Sequence, residues 1–289
     1  MIIDVALVRK LIAEQFPHWT DLPVRPVAVG GNDNRTFHLG DAMTVRLPSA
    51  EGYVPSVAKE QRWLPVLAPH LPQPIPTPLG CGKPGAGYPW PWSVNRWLDG
   101  STATHGGITD LTAFAVELAD FLTALRAVDT GGEPAAGRHS FWRGAGLHHY
   151  DEETRRAIAA LDGRVDAAAA TAEWEAALAA EWHGPPVWFH GDFANGNLLV
   201  RDGQLGGVID FGTSGVGDPA CDLVIAWTFL DARAQAAFRA ALGADDATWQ
   251  RGRGWALWKS LIQLAENAAN TKAAREIDVI LALGGARLG

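Results

Sequence analysis

The stretch 187-VWFHGDFANGNLLVRDGQLGGVIDFGTSGVGDPACDL-223 decides how the rest of the chain is read. Its apolar triplet Val187-Trp188-Phe189 predicts a strand that runs into a loop carrying His190, Gly191 and Asp192. Asn197 follows five positions after Asp192 and leads into a second strand, Leu198-Leu199-Val200. The Asp202-Gly203 pair reverses the chain, and Val208-Ile209 form a third strand ending at Asp210-Phe211-Gly212. A hairpin of this kind brings Asn197 and Asp210 to the same end of neighbouring strands, where both side-chain oxygens can face one point.

Working outward, the first third of the chain mixes patterns. Val5 to Phe16 reads as a helix, and Val24 to Leu47 as strands punctuated by Gly30-Gly31 and Gly40-Asp41. Val57 to Leu67 reads as a helix with Glu60 near its start. Residues 69–91 are rich in proline and glycine, which excludes a long helix because proline removes a donor and clashes with the preceding turn. One more strand is expected at Ser93 to Trp97. Beyond Gly100 the chain is mainly helical: Leu111, Ala115, Leu118, Leu122 and Leu125 recur at helical spacing. Alanine-rich helices are expected at Asp151–Leu161 and Ala167–Trp182, and the eight-residue run Leu223–Leu230 reads as a buried helix. The expected architecture is α+β, with a small β-rich lobe over residues 1–97 and a larger, mainly helical lobe over residues 98–289.

Bulk properties narrow the function classes. The chain has 289 residues, a formal net charge of -8 and 47% hydrophobic residues. An acidic balance disfavours nucleic acid as a partner, since phosphate neutralisation needs a surplus of lysine and arginine. No segment approaches the ~20 apolar residues required to span a bilayer, and the N-terminal helix is interrupted by Asp4, Arg9, Lys10 and Glu14, unlike a signal peptide. Cys81 and Cys221 belong to no CxxC pair or Cys/His cluster, so two free thiols in a reducing cytoplasm are expected and a structural zinc site has no support.

Phosphoryl transfer asks a protein for little covalent work. It asks for a carboxylate beside the attacking hydroxyl, and for a few hard oxygen donors to hold magnesium on the phosphates. Asp192, Asn197 and Asp210 supply such groups. His190-Gly191-Asp192 with Asn197 matches the H-x-D-x-x-x-x-N catalytic-loop spacing of protein-kinase-like enzymes, and Asp210-Phe211-Gly212 matches the D-F-G metal-binding motif. With glycine in the middle of His190-Gly191-Asp192 and with Gly217-Asp218-Pro219-Ala220-Cys221-Asp222-Leu223 following, the chain resembles the aminoglycoside phosphotransferase family over nearly its whole length.

That resemblance implies a two-lobed kinase-like fold, ATP or GTP as co-substrate, Mg2+ as cofactor and a small-molecule hydroxyl as acceptor. It implies Asp192 as catalytic base, Asn197 and Asp210 as magnesium ligands, and His190 and Asp222 as residues bracing the catalytic loop. It also implies a phosphate-covering loop around Gly30, Gly31 and Asn32, and a base site on the connector at Arg96, Trp97 and Leu98. Where the family carries a lysine for the phosphates, this chain has Arg46, with Glu60 as its expected partner; arginine's planar fork can grip carboxylate and phosphate together. The plainer reading of those two residues is a surface ion pair.

A cationic acceptor would require carboxylates, and Glu266, Glu276 and Asp278 on the last helices are the candidates, against the plainer reading of a solvated helix face. The tryptophans of the large lobe, among them Trp142, Trp174, Trp227, Trp255 and Trp258, suit either a core or an aromatic pocket. Arg46 also admits a nucleotide-binding pseudokinase acting as a regulatory module. A protein kinase is disfavoured, because there is no A-P-E segment and little length between Gly212 and Asp218 for an activation loop.

Overall fold

Alternating burial in the first third builds an antiparallel sheet whose two faces do different work. In the computed structural model, which describes every residue except 1, 29, 32, 104–106, 133–134 and 286–289 (283–285 by backbone alone), β1 (Val24–Pro26), β2 (Asn34–Leu39), β3 (Met43–Pro48), β4 (Pro78–Gly82) and β5 (Trp92–Arg96) form one sheet in the order β1-β2-β3-β5-β4. Phe37 and Leu39, Val45 and Leu47, and Trp92 and Val94 point to one face and pack with Val8, Leu11 and Ile12 of α1 (Val5–Gln15). By the period of two, Thr36 and His38, Thr44 and Arg46, and Ser93 and Asn95 occupy the opposite face. That face looks into the cleft. Asn32 lies outside the described residues.

Helix α2 (Val54–Leu67) carries Glu60 and connects β3 to β4. Its Trp63, Leu64 and Leu67 are buried in the large core rather than the small one, and the Trp63 ring meets Trp188 at a centroid distance of 5.0 Å. After the connector, β6 (Ser101–Thr102) and α3 (Leu111–Ala127) begin the large lobe. Helices α4 (Asp151–Ala160) and α5 (Ala167–Ala179) precede the strand island β7 (Val187–Phe189), β8 (Leu198–Arg201), β9 (Gln204–Val208) and β10 (Gly215–Gly217). Helices α6 (Ile225–Thr228), α7 (Ala232–Leu242), α8 (Asp246–Glu266) and α9 (Thr271–Gly285) complete the lobe.

Three features depart from expectation. The run Leu223–Leu230 is buried but is not one helix. Residues Pro219–Val224 coil as a 3-10 turn capped by Asp218, and only Ile225–Thr228 are α-helical before Asp231 caps α7. Strands β6 and β10, of two and three residues, pair with β8 and β7 and are too short to leave a periodic signal. The last helix continues through Gly284-Gly285, although glycines ordinarily punctuate a helix end. Both cysteines are free, Cys81 exposed and Cys221 buried, and among the described residues no helix is long and apolar enough to cross a membrane.

Candidate active site

The catalytic-loop geometry begins with a glycine. Gly191 has φ +86, and a Cβ there would sit 2.6 Å from the Thr213 carbonyl oxygen, so only glycine can join His190 to Asp192 at this point. Asp222, fully buried, accepts from both adjoining amides: His190 N–H donates to Oδ2 at 2.9 Å and Gly191 N–H to Oδ1 at 2.7 Å. Those two bonds fix the backbone just ahead of Asp192. Asp192 N–H donates to His190 Nδ1 at 3.3 Å, which leaves His190 Nε2 to donate to the Ile209 carbonyl at 3.0 Å. One tautomer satisfies both contacts, and His190 thereby ties the loop to the strand leading into Asp210.

The β8–β9 hairpin pairs Leu198 with Val208, and Ile209 N–H donates to the Asn197 carbonyl at 2.9 Å, so Asn197 and Asp210 emerge side by side. Asn197 Nδ2 donates to Asp192 Oδ2 at 3.0 Å and to the Asp192 carbonyl at 2.9 Å. With its nitrogen so committed, its amide oxygen is the group left for a cation. Asp210 adopts φ 67 and ψ 67, a left-handed conformation that aspartate tolerates better than most side chains. Arg46 donates from Nη1 to both oxygens of Glu60, at 3.1 and 3.0 Å, and from Nη2 to Asp210 Oδ1 at 2.7 Å. The pair is enclosed, with side-chain exposures of 13% and 6% for Arg46 and Glu60, which excludes a surface ion pair. Burial opposes the Arg46 charge, but Glu60 and Asp210 more than offset it and hold the guanidinium more firmly protonated than usual.

One contact was absent from the sequence reading. Lys259 of α8 places Nζ 2.8 Å from Asp192 Oδ1. Burial raises the Asp192 carboxyl, yet the Lys259 charge and hydrogen bond outweigh it and bring it below the ordinary carboxylate range. A signal was available. Helix α8 is buried almost all round from Trp249 to Leu261, and a cation in such a helix requires an acidic partner. Arg251 and Arg253 obey the same rule, pairing with Asp218 at 2.7 Å and Glu173 at 2.5 Å. Asp218 is therefore a cap and an ion-pair partner at once.

A cavity of about 550 Å³ lies under the sheet's cleft face, between Gly30-Gly31, Arg46, the connector residues Arg96 to Leu98, Asn197 and Asp210. Of the expected nucleotide-site residues that are described, it gathers all but Glu60, which reaches it through Arg46. A Cβ on Gly30 or Gly31 would meet nothing within 4 Å, so packing does not demand glycine at either position. A second cavity of about 1000 Å³ opens between the lobes beside Asp210 and Gly212, bordered by Tyr53, Arg138, Phe141, Trp142 and Tyr150. Phe141 and Trp142 both take left-handed φ values, 49 and 59, and remain 39% and 38% exposed. Burial and Asp210 raise the carboxyl of Asp33, which borders the same cavity.

The acidic candidates on the last helices take different surroundings. Glu266, Glu276 and Asp278 line neither inter-lobe cavity. Glu276 is 7% exposed, accepts from Ser260 Oγ at 2.9 Å and pairs with Lys272, so packing rather than acceptor binding occupies it. Glu266 and Asp278 sit on exposed helix faces. The tryptophans divide similarly: Trp174, Trp227, Trp255 and Trp258 are core residues, and Trp142 faces a cavity.

Among the described residues, no group of three or more His, Cys, Asp or Glu side chains is gathered as a metal cluster. Two hard oxygen donors, Asn197 and Asp210, suit a magnesium ion that draws its other ligands from water and phosphate, as that ion usually does.

Comparison with known proteins agrees with the geometry. An aminoglycoside 3'-phosphotransferase of Escherichia coli is 44% identical over 46 residues, a stretch covering 16% of this chain and 17% of that protein's length. The fold superposes on the GDP and kanamycin complex of APH(2")-IIia with a TM-score of 0.73 and 20% identity, covering 97% of this chain and 98% of the other. Macrolide 2'-phosphotransferase MphH from Brachybacterium faecium superposes at 0.61 with 21% identity, covering 96% and 97%. A thermostable mutant of APH(4)-Ia, in ternary complex with AMP-PNP and hygromycin B, gives 0.66 with 21% identity, covering 96% and 98%. The profile of the phosphotransferase enzyme family, APH, matches residues 24–255, a span that holds every motif described above, and the chain belongs to that family.

Proposed function

We propose that this protein transfers the γ-phosphoryl group of ATP or GTP to a hydroxyl of a small molecule, an aminoglycoside or another antibiotic, with magnesium as cofactor. The observation that carries this reading is the placement of Asn197 and Asp210 together on the wall of the nucleotide-sized cavity, with Asn197 bonded to Asp192 just behind it and Arg46 joining Glu60 to Asp210 across the lobes. Asn197 and Asp210 would hold the metal, which would supply positive charge against that developing on the transferred group. Arg46 lines the cavity with a fixed positive charge for the phosphates. Gly30 and Gly31 let the loop backbone approach the same anion.

Asp192 receives the acceptor hydroxyl. A carboxylate held below its ordinary range is a weak base toward an alcohol, so its work is to orient the hydroxyl and take the proton late, as a loose transition state allows. The 1000 Å³ cavity beside Asp210 is the acceptor region, from which a hydroxyl must reach inward to Asp192, and its exposed Phe141-Trp142 pair offers an aromatic platform for a ring-bearing molecule.

A second reading has one observation behind it. Arg46 Nη2 already occupies Asp210 Oδ1, which suits a nucleotide-binding pseudokinase. The deciding assay is magnesium-dependent ATP and GTP consumption against aminoglycosides, macrolides and simple amino alcohols, with phosphorylated product identified by mass. Transfer that is lost in Asp192→Asn establishes the enzyme; nucleotide binding without transfer to any acceptor favours the pseudokinase.

A further inference from the structure

The cleft face of the sheet carries a polar row that the catalytic reading leaves unused. His38, Thr44 and Asn95 stand side by side across β2, β3 and β5, since His38 pairs with Thr44 and Thr44 with Asn95. All three line the nucleotide-sized cavity at its connector end. Asn95 is 2% exposed, and neither Nδ2 nor Oδ1 has a hydrogen-bond partner among the described residues. His38 Nδ1 is likewise without one, and its ring lies 4.3 Å from that of Trp97. Buried amides of this kind are nearly always paired, so two unpaired atoms on one side chain facing a cavity point to a ligand that pairs them. The ligand must offer a donor next to an acceptor in one plane.

Resting on the nucleotide-dependent reading above, we propose that Asn95 reads the edge of the nucleobase. A carboxamide presents one donor face and one acceptor face. Adenine offers an exocyclic N–H beside a ring nitrogen acceptor, and guanine offers a carbonyl beside a ring N–H. Rotating the amide by half a turn exchanges its faces, so Asn95 matches either purine, while the phosphates remain with Arg46 at the other end of the cavity. An aspartate in its place accepts only, and so suits guanine's adjacent N–H donors better than adenine.

The test compares ADP, GDP and inorganic tripolyphosphate binding by calorimetry in the full chain, with thermal melting alongside. Asn95→Leu keeps the shape and removes both polar atoms. The expected result is an affinity loss of at least tenfold for ADP and GDP, unchanged tripolyphosphate binding, and a melting temperature that holds or rises. Asn95→Asp is expected to retain GDP over ADP by at least tenfold. Wild-type affinity for ADP and GDP in Asn95→Leu overturns the assignment, as does a melting temperature that falls in step with affinity, or equal losses of ADP and GDP in Asn95→Asp. The binding readout supports or overturns the role of Asn95 whether or not phosphate is transferred; a protein that binds both nucleotides and phosphorylates nothing overturns the activity alone.

Discussion

Asp192 carries two hydrogen bonds from side chains that act in opposite ways. Asn197 fixes its direction, and Lys259 fixes its charge. Replacing Asp192 with asparagine is expected to leave the melting curve close to wild type and to lower turnover by ~10²–10⁴-fold, the usual range for a positioned proton acceptor. Lys259 makes a pH prediction with a definite sign. The Asp192 carboxyl lies below its ordinary range, so it stays ionised, and the wild-type acid limb of kcat/KM should fall below that range. Its contribution to stability is present above the unfolded-state value and is lost as pH falls through the folded one. Lys259→Met removes the cation and leaves burial to act, so the acid limb should move upward; an unmoved limb in the pH–rate profile would separate Lys259 from the function of Asp192. Arg46→Ala should raise the Michaelis constant for ATP and also lower stability by about 3–5 kcal/mol, because it strands Glu60 in the interior, while Arg46→Lys should recover part of both.

The elements around the site explain which parts could be read from the chain alone. The 187–223 hairpin was readable because its chemistry is local: a strand, a fixed loop and a two-residue turn set Asp192, Asn197 and Asp210 within a short stretch. Lys259 was legible only in part: a cation among the apolar residues around it calls for an acidic partner, but that partner lies 67 positions away and cannot be named from the sequence. The acidic residues of α8 and α9 were ambiguous for the converse reason, since a charge on a helix says nothing of which face meets a cleft until the packing is known. Short β6 and β10 left no period to detect. Asp222, on the 3-10 turn after β10, tests how far the catalytic loop depends on its support. Asp222→Asn exchanges an acceptor for a donor facing one of two amide N–H groups, so a stability loss of about 1–3 kcal/mol and a fall in kcat larger than any change in KM are expected from melting and steady-state kinetics.

Across the whole molecule, nucleotide with magnesium should tighten both lobes at once. A ligand held at a hundred times its Kd should add about 2.7 kcal/mol to stability, readable as a rise in melting temperature with ADP and magnesium that exceeds the rise with either alone. How the lobes can move is governed by α2. By position in the chain that helix belongs to the small lobe, but Trp63, Leu64 and Leu67 are rooted in the large one, and Lys59 Nζ donates to the carbonyls of His139 and Ser214 at 3.0 and 2.7 Å. The helix is thus anchored to both lobes, by its apolar face below and by polar bonds to the sheet above. The polar ties between that helix and the sheet are the Arg46–Glu60 fork and Gln61, which donates to the Gly80 carbonyl at 3.2 Å, and the amides of α2 are expected to exchange with deuterium at the pace of the large lobe.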